Sequence, residues 1–474
     1  MGIKKSLLIV VCCSIFALFI PECTGKVKEP SVAGAFYPAK PESLKEMVNG
    51  FLLSAENKPV EGQLIALISP HAGYQFSGHV AAYSYKYLKD MNIETVILIG
   101  PSHYKAFNGV SVYADDAMKT PLGKIKIDKK IAKSLINENA DVTFSPDAFE
   151  KEHSLEVQLP FLQQSLKNFK IVPILISTPT QKSYEFLTEK LTEILRKDKK
   201  TIIIASTDLS HYHDYNTAVM MDKKTIDAIE RLSIEDVERL IMNREGEMCG
   251  AYPVIYTMAV ARGLGATNGI LYKYANSGDV TNDKNRVVGY SAIGLYKTAL
   301  SESQRRELLS LAKNAILGYV KHKKTYEADT SDTRLLANGA TFVTINRNGM
   351  LRGCIGNIQP VMPLYKAVIR NAIAASSKDY RFSPMQKEEL TDMEIEVTVL
   401  SPLEPLKDIK NIKIGTHGFY IVNGANSGIL LPQVASENNW DVNTFLENVS
   451  LKAGLPKEAW KNSNLYIFSA DIIK

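Results

Sequence analysis

Four apolar runs recur in the first half of the chain, and each is nearly continuous instead of alternating with polar residues. They are LIALIS at 64–69, TVILIG at 95–100, IVPILIS at 171–177 and TIIIAS at 201–206. Continuous apolar strands are typical of a parallel sheet that is covered on both faces. Segments with helical periodicity, such as 79–91 and 183–197, lie between them. The alternation predicts an α/β fold, a sheet layered with helices.

The pattern changes after about residue 298. A long amphipathic helix is predicted from near Ser303, and NRNG at 346–349 has the composition of a hairpin turn. Two later segments, 392–403 and 418–424, are predicted strands, so this half is expected to be α+β. Since 474 residues exceed what one hydrophobic core usually serves, we predict two domains. The predicted division is a leader at 1–25, a first domain at 26–298 and a smaller second domain at 299–474.

The first 25 residues have the order of a signal peptide. Lys4 and Lys5 precede an apolar stretch from Leu7 to Ile20, which is shorter than the run of about 20 residues that a spanning helix needs. We therefore expect cleavage near Gly25 and export to the periplasm or the exterior. An uncleaved leader that anchors the chain is the alternative, and it is the only membrane contact that the sequence predicts.

Composition excludes two classes of protein. The formal charge is only +5 and 23% of residues are charged, so nothing predicts binding to nucleic acid. Three of the five cysteines lie in the leader, which leaves Cys249 and Cys354 in the body. A disulfide framework is therefore not expected.

Histidines follow three of the apolar runs, at the point where each predicted strand ends. SPHAGY contains His71, GPSHY contains His103, and STDLSHYH contains Asp208, His211 and His213. Loops beyond the carboxyl ends of parallel strands converge on one crevice. One such histidine alone is more often simply hydrogen-bonded, but three in equivalent positions favour a divalent metal site, because imidazoles are common ligands and three leave coordination positions open.

Two further residues are candidates for chemistry beside such a metal. Asp208 precedes His211 by three residues. It orients that imidazole, acts as an acid or base, or caps a turn or helix. Cys249, in EMCGAYPV, either presents a thiol to the site or packs as an inert side chain.

The segment EKEHSLEVQLPFLQ is predicted to begin a helix with Glu152, His153 and Glu156 in its first turns. Either His153 and Glu156 lie near the pocket, or the segment is a solvated acidic helix start. We take His153, together with Asp208 and Cys249, as the candidate catalytic residues.

Five motifs of the first half occur in the order SPHAGYQFSGHVAAYSY, GPSHY, EHSLEVQLPFLQ, STDLSHYH and CGAYPV. Together they resemble the Memo family, also called AmmeMemoRadiSam system protein B, over about residues 28–297. The second half contains LRGCIGNIQP, SSKDYRFSPM, EIEVTVLSPLEPL, SGILLPQVASENNWDVNTFLENVSLKAGLP and LYIFSA. It resembles an AMMECR domain, AmmeMemoRadiSam system protein A.

The Memo resemblance implies a fold similar to that of class III extradiol dioxygenases, which are non-haem iron enzymes that open catechol-like rings. It implies that His71, His103 and His211 are metal ligands, with Asp208 and Cys249 beside them. Iron is the favoured metal, and copper or zinc are alternatives because reduced iron is harder to maintain after export. Dioxygenases of that class use two histidines and a carboxylate, so the third histidine is a departure.

The AMMECR resemblance gives a fold and a signature but no reaction. LRGCIG is interpreted either as a tight turn in which Arg352 and Cys354 bind an anion, or as a hairpin that needs Gly353 and Gly356 for its backbone. The name of the system implies a radical SAM protein as partner.

Two functions remain open from the sequence. The first is a metal-dependent oxidoreductase, dioxygenase-like, that acts on an unidentified small molecule. The second is a scaffold without enzymatic activity that binds a metal or a peptide and joins a radical SAM protein.

Overall fold

The computed structural model describes residues 26–56, 59–406 and 408–474. The predicted signal peptide at 1–25 lies outside the described residues. The strands of the first half are β1 (Val27–Lys28), β2 (Gln63–Ser69), β3 (Thr95–Pro101), β4 (Val110–Val112), β5 (Ala117–Thr120), β6 (Gly123–Ile127), β7 (Val142–Thr143), β8 (Lys170–Ile176), β9 (Thr201–Ser206), β10 (His211–His213), β11 (Asn268–Asn276) and β12 (Val287–Lys297). Its helices are α1 (Pro41–Ser54), α2 (Tyr74–Lys86), α3 (Lys129–Leu135), α4 (Leu159–Ser165), α5 (Gln181–Lys197), α6 (Tyr215–Glu230), α7 (Ile234–Met242), α8 (Ala251–Gly263) and α9 (Gly278–Thr281).

The centre of the first sheet is parallel, in the order β6-β8-β3-β9-β2. Every residue of β3 and β9 is buried, and successive side chains of a strand point to opposite faces, so both faces are covered. Beyond β2, the sheet continues through antiparallel β12, which also pairs with β11. The four strands predicted from continuous apolar runs are confirmed as β2, β3, β8 and β9.

The parallel centre brings the predicted site loops together. Neighbouring strands β2 and β9 are in register at Ser69 and Ser206, their last residues, and β3 lies on the other side of β9. The chain leaves all three strands at the same edge. This edge carries the segments that contain His71, His103 and Asp208.

The second half is an antiparallel sheet with helices packed on it, which confirms the predicted α+β organisation. Its strand order is β14-β13-β15-β19-β17-β18, and β16 pairs with β19. The strands are β13 (Ala340–Arg347), β14 (Met350–Asn357), β15 (Met393–Leu400), β16 (Glu404–Pro405), β17 (His417–Asn423), β18 (Asn426–Leu430) and β19 (Asn464–Ile473). The helices are α10 (Glu302–His322), α11 (Thr333–Leu336), α12 (Leu364–Ser377), α13 (Pro432–Glu437) and α14 (Val442–Lys452).

The long helix α10 begins where the sequence predicted it, because Ser301 and Gln304 form a reciprocal capping box. Its buried positions Leu308, Leu311 and Ala315 recur at helical spacing. Across the described part of the chain, no helix has both the length and the apolar character to cross a membrane.

The LRGCIG segment is not a tight turn, so that interpretation is wrong. Arg352 and Cys354 lie inside β14, and Arg352 pairs with Glu389 at 2.7 Å. The two glycines are needed for close approach. A Cβ on Gly353 would lie 2.2 Å from the carbonyl oxygen of Ala375, and one on Gly356 would lie 2.3 Å from the ring of Phe342. The hairpin interpretation is the one that the packing supports.

The hairpin turn predicted at NRNG is confirmed between β13 and β14. Asn348 and Gly349 have φ angles of 51° and 74°, the left-handed region that favours glycine. We expect Gly349→Ala to destabilise the protein by about 1 kcal/mol, through backbone strain alone, since no atom lies within 4 Å of the added Cβ. Urea denaturation measures the change. Gly50→Ala is the control, because Gly50 lies in α1 with equally open space and an ordinary φ; equal effects of the two substitutions would contradict the prediction.

Candidate metal centre

Three imidazoles gather at the carboxyl edge of the parallel strands. His71 follows β2, His103 follows β3, and His153 lies in the segment between β7 and α4. One ring nitrogen from each can be chosen so that all three lie within 4.8 Å of one another. The ring centroids of His71 and His103 are 5.1 Å apart, and those of His103 and His153 are 4.7 Å apart. This spacing is short enough for one ion to bridge the three rings after small side-chain movements.

Ser206, the last residue of β9, determines which nitrogen of the His71 ring carries the proton. The Ser206 hydroxyl donates its proton to the carbonyl oxygen of Ser154 at 2.6 Å. Its oxygen accepts from the amide of Gln158 at 2.8 Å and lies 2.8 Å from Nδ1 of His71. Because the hydroxyl proton is already used, Nδ1 of His71 must be the donor. The lone pair of this ring is therefore on Nε2, which lies 3.1 Å from the sulfur of Cys249.

His103 is held by Glu152, a buried carboxylate. Oε1 of Glu152 lies 2.9 Å from Nδ1 of His103, and Oε2 accepts from the backbone N–H of His103 at 2.6 Å. Burial acts to raise the pKa of Glu152, but the hydrogen bonds from His103 and from the amide of Ser154 outweigh it and hold the pKa below its ordinary value. An ionised carboxylate on Nδ1 leaves Nε2 as the ligand atom, which is a common support for metal-binding histidines.

His153 supplies an unpaired nitrogen. Its Nδ1 is buried and has no hydrogen-bond partner among the described residues, while Glu152 Oε1 is 3.6 Å away. Burial lowers the pKa of His153 to about 4, although the charge of Glu152 opposes the shift. A neutral imidazole with a buried, unsatisfied nitrogen is costly unless something binds it. This observation fits a metal ion at the site.

Two further imidazoles, those of His71 and His211, also favour the neutral form. Burial lowers the pKa of His71 well below its ordinary value, and the charges that His103, His153 and His211 would carry lower it further. Burial likewise lowers the pKa of His211. Because a metal ion binds only unprotonated imidazole, the environment prepares these rings as ligands.

Asp208 and Cys249 both lie against His71. Oδ1 of Asp208 accepts from the backbone N–H of His71 at 2.8 Å, and burial raises the pKa of Asp208 to about 7. The sulfur of Cys249 accepts from the backbone N–H of Asp208 at 3.2 Å. Burial, and then the charge of Asp208, raise the pKa of the Cys249 thiol, so this thiol is protonated at neutral pH. It is not an activated nucleophile in this state.

His211 was predicted as the third ligand, whereas the group within 4.8 Å contains His153 in its place. His211 lies in β10, where its backbone N–H lies 3.3 Å from a carboxylate oxygen of Glu247. The other histidine of this strand, His213, pairs with the same carboxylate at 2.9 Å. His211 is close enough to affect the pKa of His71. Its role as a ligand stays a prediction.

Glu156 contradicts one of the two interpretations of its motif, and its charge is near enough to act on the pKa of His153. It lies in a short 3-10 turn before α4, it is 2% exposed, and its carboxylate binds Lys28 at 2.9 Å. The solvated acidic helix start is therefore wrong, and the hydrogen bonds of Glu156 go to the first described segment of the chain.

Sequence reasoning missed Glu152 and Ser206 as residues that hold the imidazoles. Glu152 directly precedes His153, but a helix would have directed its side chain elsewhere, and the chain is irregular there. Ser206 ends an apolar strand, and only the register of β9 with β2 places it beside His71.

Two family models match this chain, one in each half. Residues 28–294 match the model of the family described as Memo-like protein, and residues 309–473 match that of AMMECR1. A MEMO1 family protein of Methanopyrus kandleri is 37% identical over 278 residues, which is 56% of this chain and 98% of the relative. A MEMO1 family protein of Nitrosopumilus maritimus is 34% identical over 275 residues, again 56% and 98%.

One solved structure is also similar. It is an uncharacterized protein of Pyrococcus horikoshii, 36% identical, matched over 36% of this chain and 92% of that chain with a TM-score of 0.36. The family models, the relatives and the ordered motifs agree on one conclusion. The chain belongs to the Memo-like protein family and carries an AMMECR1 domain after its Memo-like half.

Proposed function

We propose that the Memo-like half binds one divalent metal ion through His71, His103 and His153 and uses it as an oxidoreductase centre. The observation that carries this proposal is the convergence of three imidazoles, one of which has a buried nitrogen without a partner among the described residues. Three imidazole ligands leave coordination positions open for a substrate. When bound, such an ion supplies Lewis-acid or redox chemistry.

We propose iron as the metal, with copper and zinc as alternatives, and a dioxygenase-like reaction on a small organic molecule. An imidazole set without a carboxylate ligand suits all three metals. The support for iron is the resemblance on which the sequence prediction of a dioxygenase-like fold also depends.

The residues around the imidazoles would orient them and border the substrate. Glu152 and Ser206 hold Nδ1 of His103 and His71 by hydrogen bonds, which would leave Nε2 of each ring for the metal. Two exposed tyrosines lie beside these imidazoles. The ring of Tyr104 lies 5.8 Å from that of His153, and the ring of Tyr212 lies next to that of His211. These rings would hold the apolar part of a substrate.

An oxygen-consumption assay tests the enzymatic part of this proposal. The full chain, loaded without air with Fe²⁺, Cu²⁺ or Zn²⁺ in separate samples, is mixed with catechol-type substrates in an oxygen electrode. We expect uptake with the iron form that is lost in His103→Ala. His322→Ala is the matched control, because His322 is an exposed histidine at the end of α10. Metal binding without substrate-dependent oxygen uptake would contradict the oxidoreductase.

That outcome would favour the second proposal, a scaffold that binds a metal or peptide and joins a radical SAM protein. Its support is the covalent linkage of two domains, which raises their effective concentration toward each other and toward a shared partner. We also propose that residues 1–25 direct export, and this rests on their sequence pattern alone.

A further inference from the structure

A cavity lies between the two halves of the chain, and none of the histidines of the metal centre lines it. Its volume is about 540 Å³, and residues of both halves line it, among them Arg262 and Thr267 of the Memo-like half and Arg334 and Asn338 of the AMMECR1 half. The ion pair of Arg196 with Glu404, at 3.4 Å, joins the halves nearby. Ligand sites have volumes of roughly 300–1,000 Å³ and often occur between domains.

The charges that line this cavity are all positive. Arg262 and Arg334 are its ionisable residues apart from tyrosines, and no carboxylate of the described residues lines it. Arg262 is already paired with Glu235 at 3.3 Å on the protein surface. The question that remains is what pairs with the other lining cation, Arg334.

Arg334 is half-buried, and its guanidinium lacks the partners that a charge withdrawn from water normally has. Its Nε is buried and has no hydrogen-bond partner within the described ranges. Burial lowers the pKa of Arg334 to about 10, and the charges of Asp332 and Asp471 oppose that shift without cancelling it. Removing a guanidinium from water is costly, and buried charges are paired or bind an ion.

Both nearby carboxylates are engaged elsewhere. Asp332 caps α11 by accepting from two backbone N–H groups, and it accepts from the side-chain amide of Gln304 at 2.9 Å. Asp471 pairs with Arg305 at 2.6 Å. Neither is available to form the short, directed hydrogen bonds that a guanidinium donates to an oxyanion. Arg334 thus retains the donors that a bound anion would use.

Two tyrosines and several aliphatic side chains form the apolar part of the lining, beside polar residues such as Thr267 and Asn338. Tyr420 and Tyr466 are cross-strand neighbours on β17 and β19 with ring centroids 6.1 Å apart, and Val399 and Leu403 lie on the same lining. Rings and aliphatic side chains of this kind bind a flat apolar body.

We propose that the cavity between the halves binds a small aromatic oxyanion, with its carboxylate or phosphate on Arg334 and its ring against Tyr420 and Tyr466. This site is separate from the metal centre and does not depend on the proposed oxidoreductase. It would couple the two halves, because residues of both line the cavity.

Isothermal titration calorimetry on the full chain tests the site with phenyl phosphate and benzoate as probes and benzyl alcohol as the neutral comparison. We expect at least one anionic probe to bind ten-fold or more tightly than benzyl alcohol. Binding of phenyl phosphate alone would identify a phosphate ester as the ligand class, and binding of benzoate alone a carboxylate. Failure of both anions to bind would overturn the proposal.

Two variants locate the binding. Arg334→Gln should weaken binding of the anionic probe at least ten-fold, and it should leave thermal stability unchanged or raised, because it removes a half-buried charge that has no ion-pair partner among the described residues. Arg196→Gln is the matched control, since it breaks the ion pair between the halves and does not line the cavity. Equal affinity in Arg334→Gln, or an equal loss in Arg196→Gln, would overturn the assignment.

Tyr420→Leu gives a second measurement that does not depend on how Arg334→Gln folds. It should weaken binding of phenyl phosphate several-fold and leave binding of inorganic phosphate unchanged, because only the former has a ring. An unchanged affinity for phenyl phosphate would contradict the aromatic part of the proposal.

Discussion

Replacing His71 with alanine should abolish metal binding by the Memo-like half, with bound metal falling from one ion per chain to near zero. His71 is a buried ring of the cluster, at 2% exposure, with its proton fixed on Nδ1 and its lone pair on Nε2. Metal content after dialysis against Zn²⁺, followed by elemental analysis, measures the change. Zn²⁺ is the probe because it does not change oxidation state.

Companion variants separate the two candidate ligand sets. His153→Ala should lose the metal as well if the three rings within 4.8 Å are the ligands, whereas His211→Ala should then retain it. The reverse result would restore His211 as the third ligand. Glu152→Gln should weaken affinity by about 10- to 100-fold, since it removes the carboxylate that orients His103.

The exposed His322→Ala again serves as the control for handling and for nonspecific metal. Thermal unfolding without metal is recorded for each variant, so that a loss of metal in a folded protein is distinguished from a loss of fold. Full metal retention in folded His71→Ala would contradict the site.

Glu156→Ala should destabilise the protein by about 3–5 kcal/mol, the cost of leaving a buried ionic group without its partner. The carboxylate accepts from Lys28 Nζ at 2.9 Å, from the backbone amides of Ser31 and Val32, and from the hydroxyl of Tyr37 at 2.7 Å. Its removal would leave the Lys28 ammonium without its carboxylate partner and the backbone amides and the tyrosine hydroxyl without an acceptor. Chemical denaturation at pH 7 measures the change in the free energy of unfolding.

The effect of this substitution should depend on pH. Burial acts to raise the pKa of Glu156, but the charge of Lys28 and the hydrogen bonds from backbone amides outweigh it and hold the pKa below its ordinary value. A group with a lowered folded pKa stabilises the fold above the pKa of the unfolded chain, about 4.3, and loses that contribution as the pH falls further. The difference between parent and variant should therefore shrink in acid.

Glu150→Ala is the matched control, because Glu150 is an exposed carboxylate of the same segment and its side chain has no comparable set of partners among the described contacts. It should change stability by less than about 0.5 kcal/mol. If Glu156→Ala lowers the free energy of unfolding no more than Glu150→Ala does, the prediction that the buried contacts of Glu156 stabilise the fold is wrong.

Local patterns predicted the elements of the fold well where one physical cause dominates. Continuous apolar runs became β2, β3, β8 and β9, since only a strand buried on both faces tolerates such a run. Ser301 with Gln304 fixed the start of α10, and Asn348 with Gly349 fixed a hairpin turn. Each of these signals acts within about seven residues of chain.

Local patterns failed where the outcome depends on packing. LRGCIG has the glycines of a turn, yet Gly353 and Gly356 serve close approach to Ala375 and Phe342, which are distant in sequence. Similarly, Glu156 has the sequence position of a solvated helix start, but it is buried in an ion pair with Lys28. No local pattern encodes those neighbours.

The motifs along the chain were enough to predict the family, the main strands of the first half, and the delivery of His71, His103 and Asp208 to one edge of a parallel sheet, because strand ends follow from chain direction. Three features depend on the folded chain: His153 joins that edge, Glu152 and Ser206 fix the protons of the rings, and Arg334 lines a cavity between the halves. The reason is physical: burial and hydrogen-bond geometry depend on contacts between segments far apart in the chain, and these contacts exist only once the chain has packed.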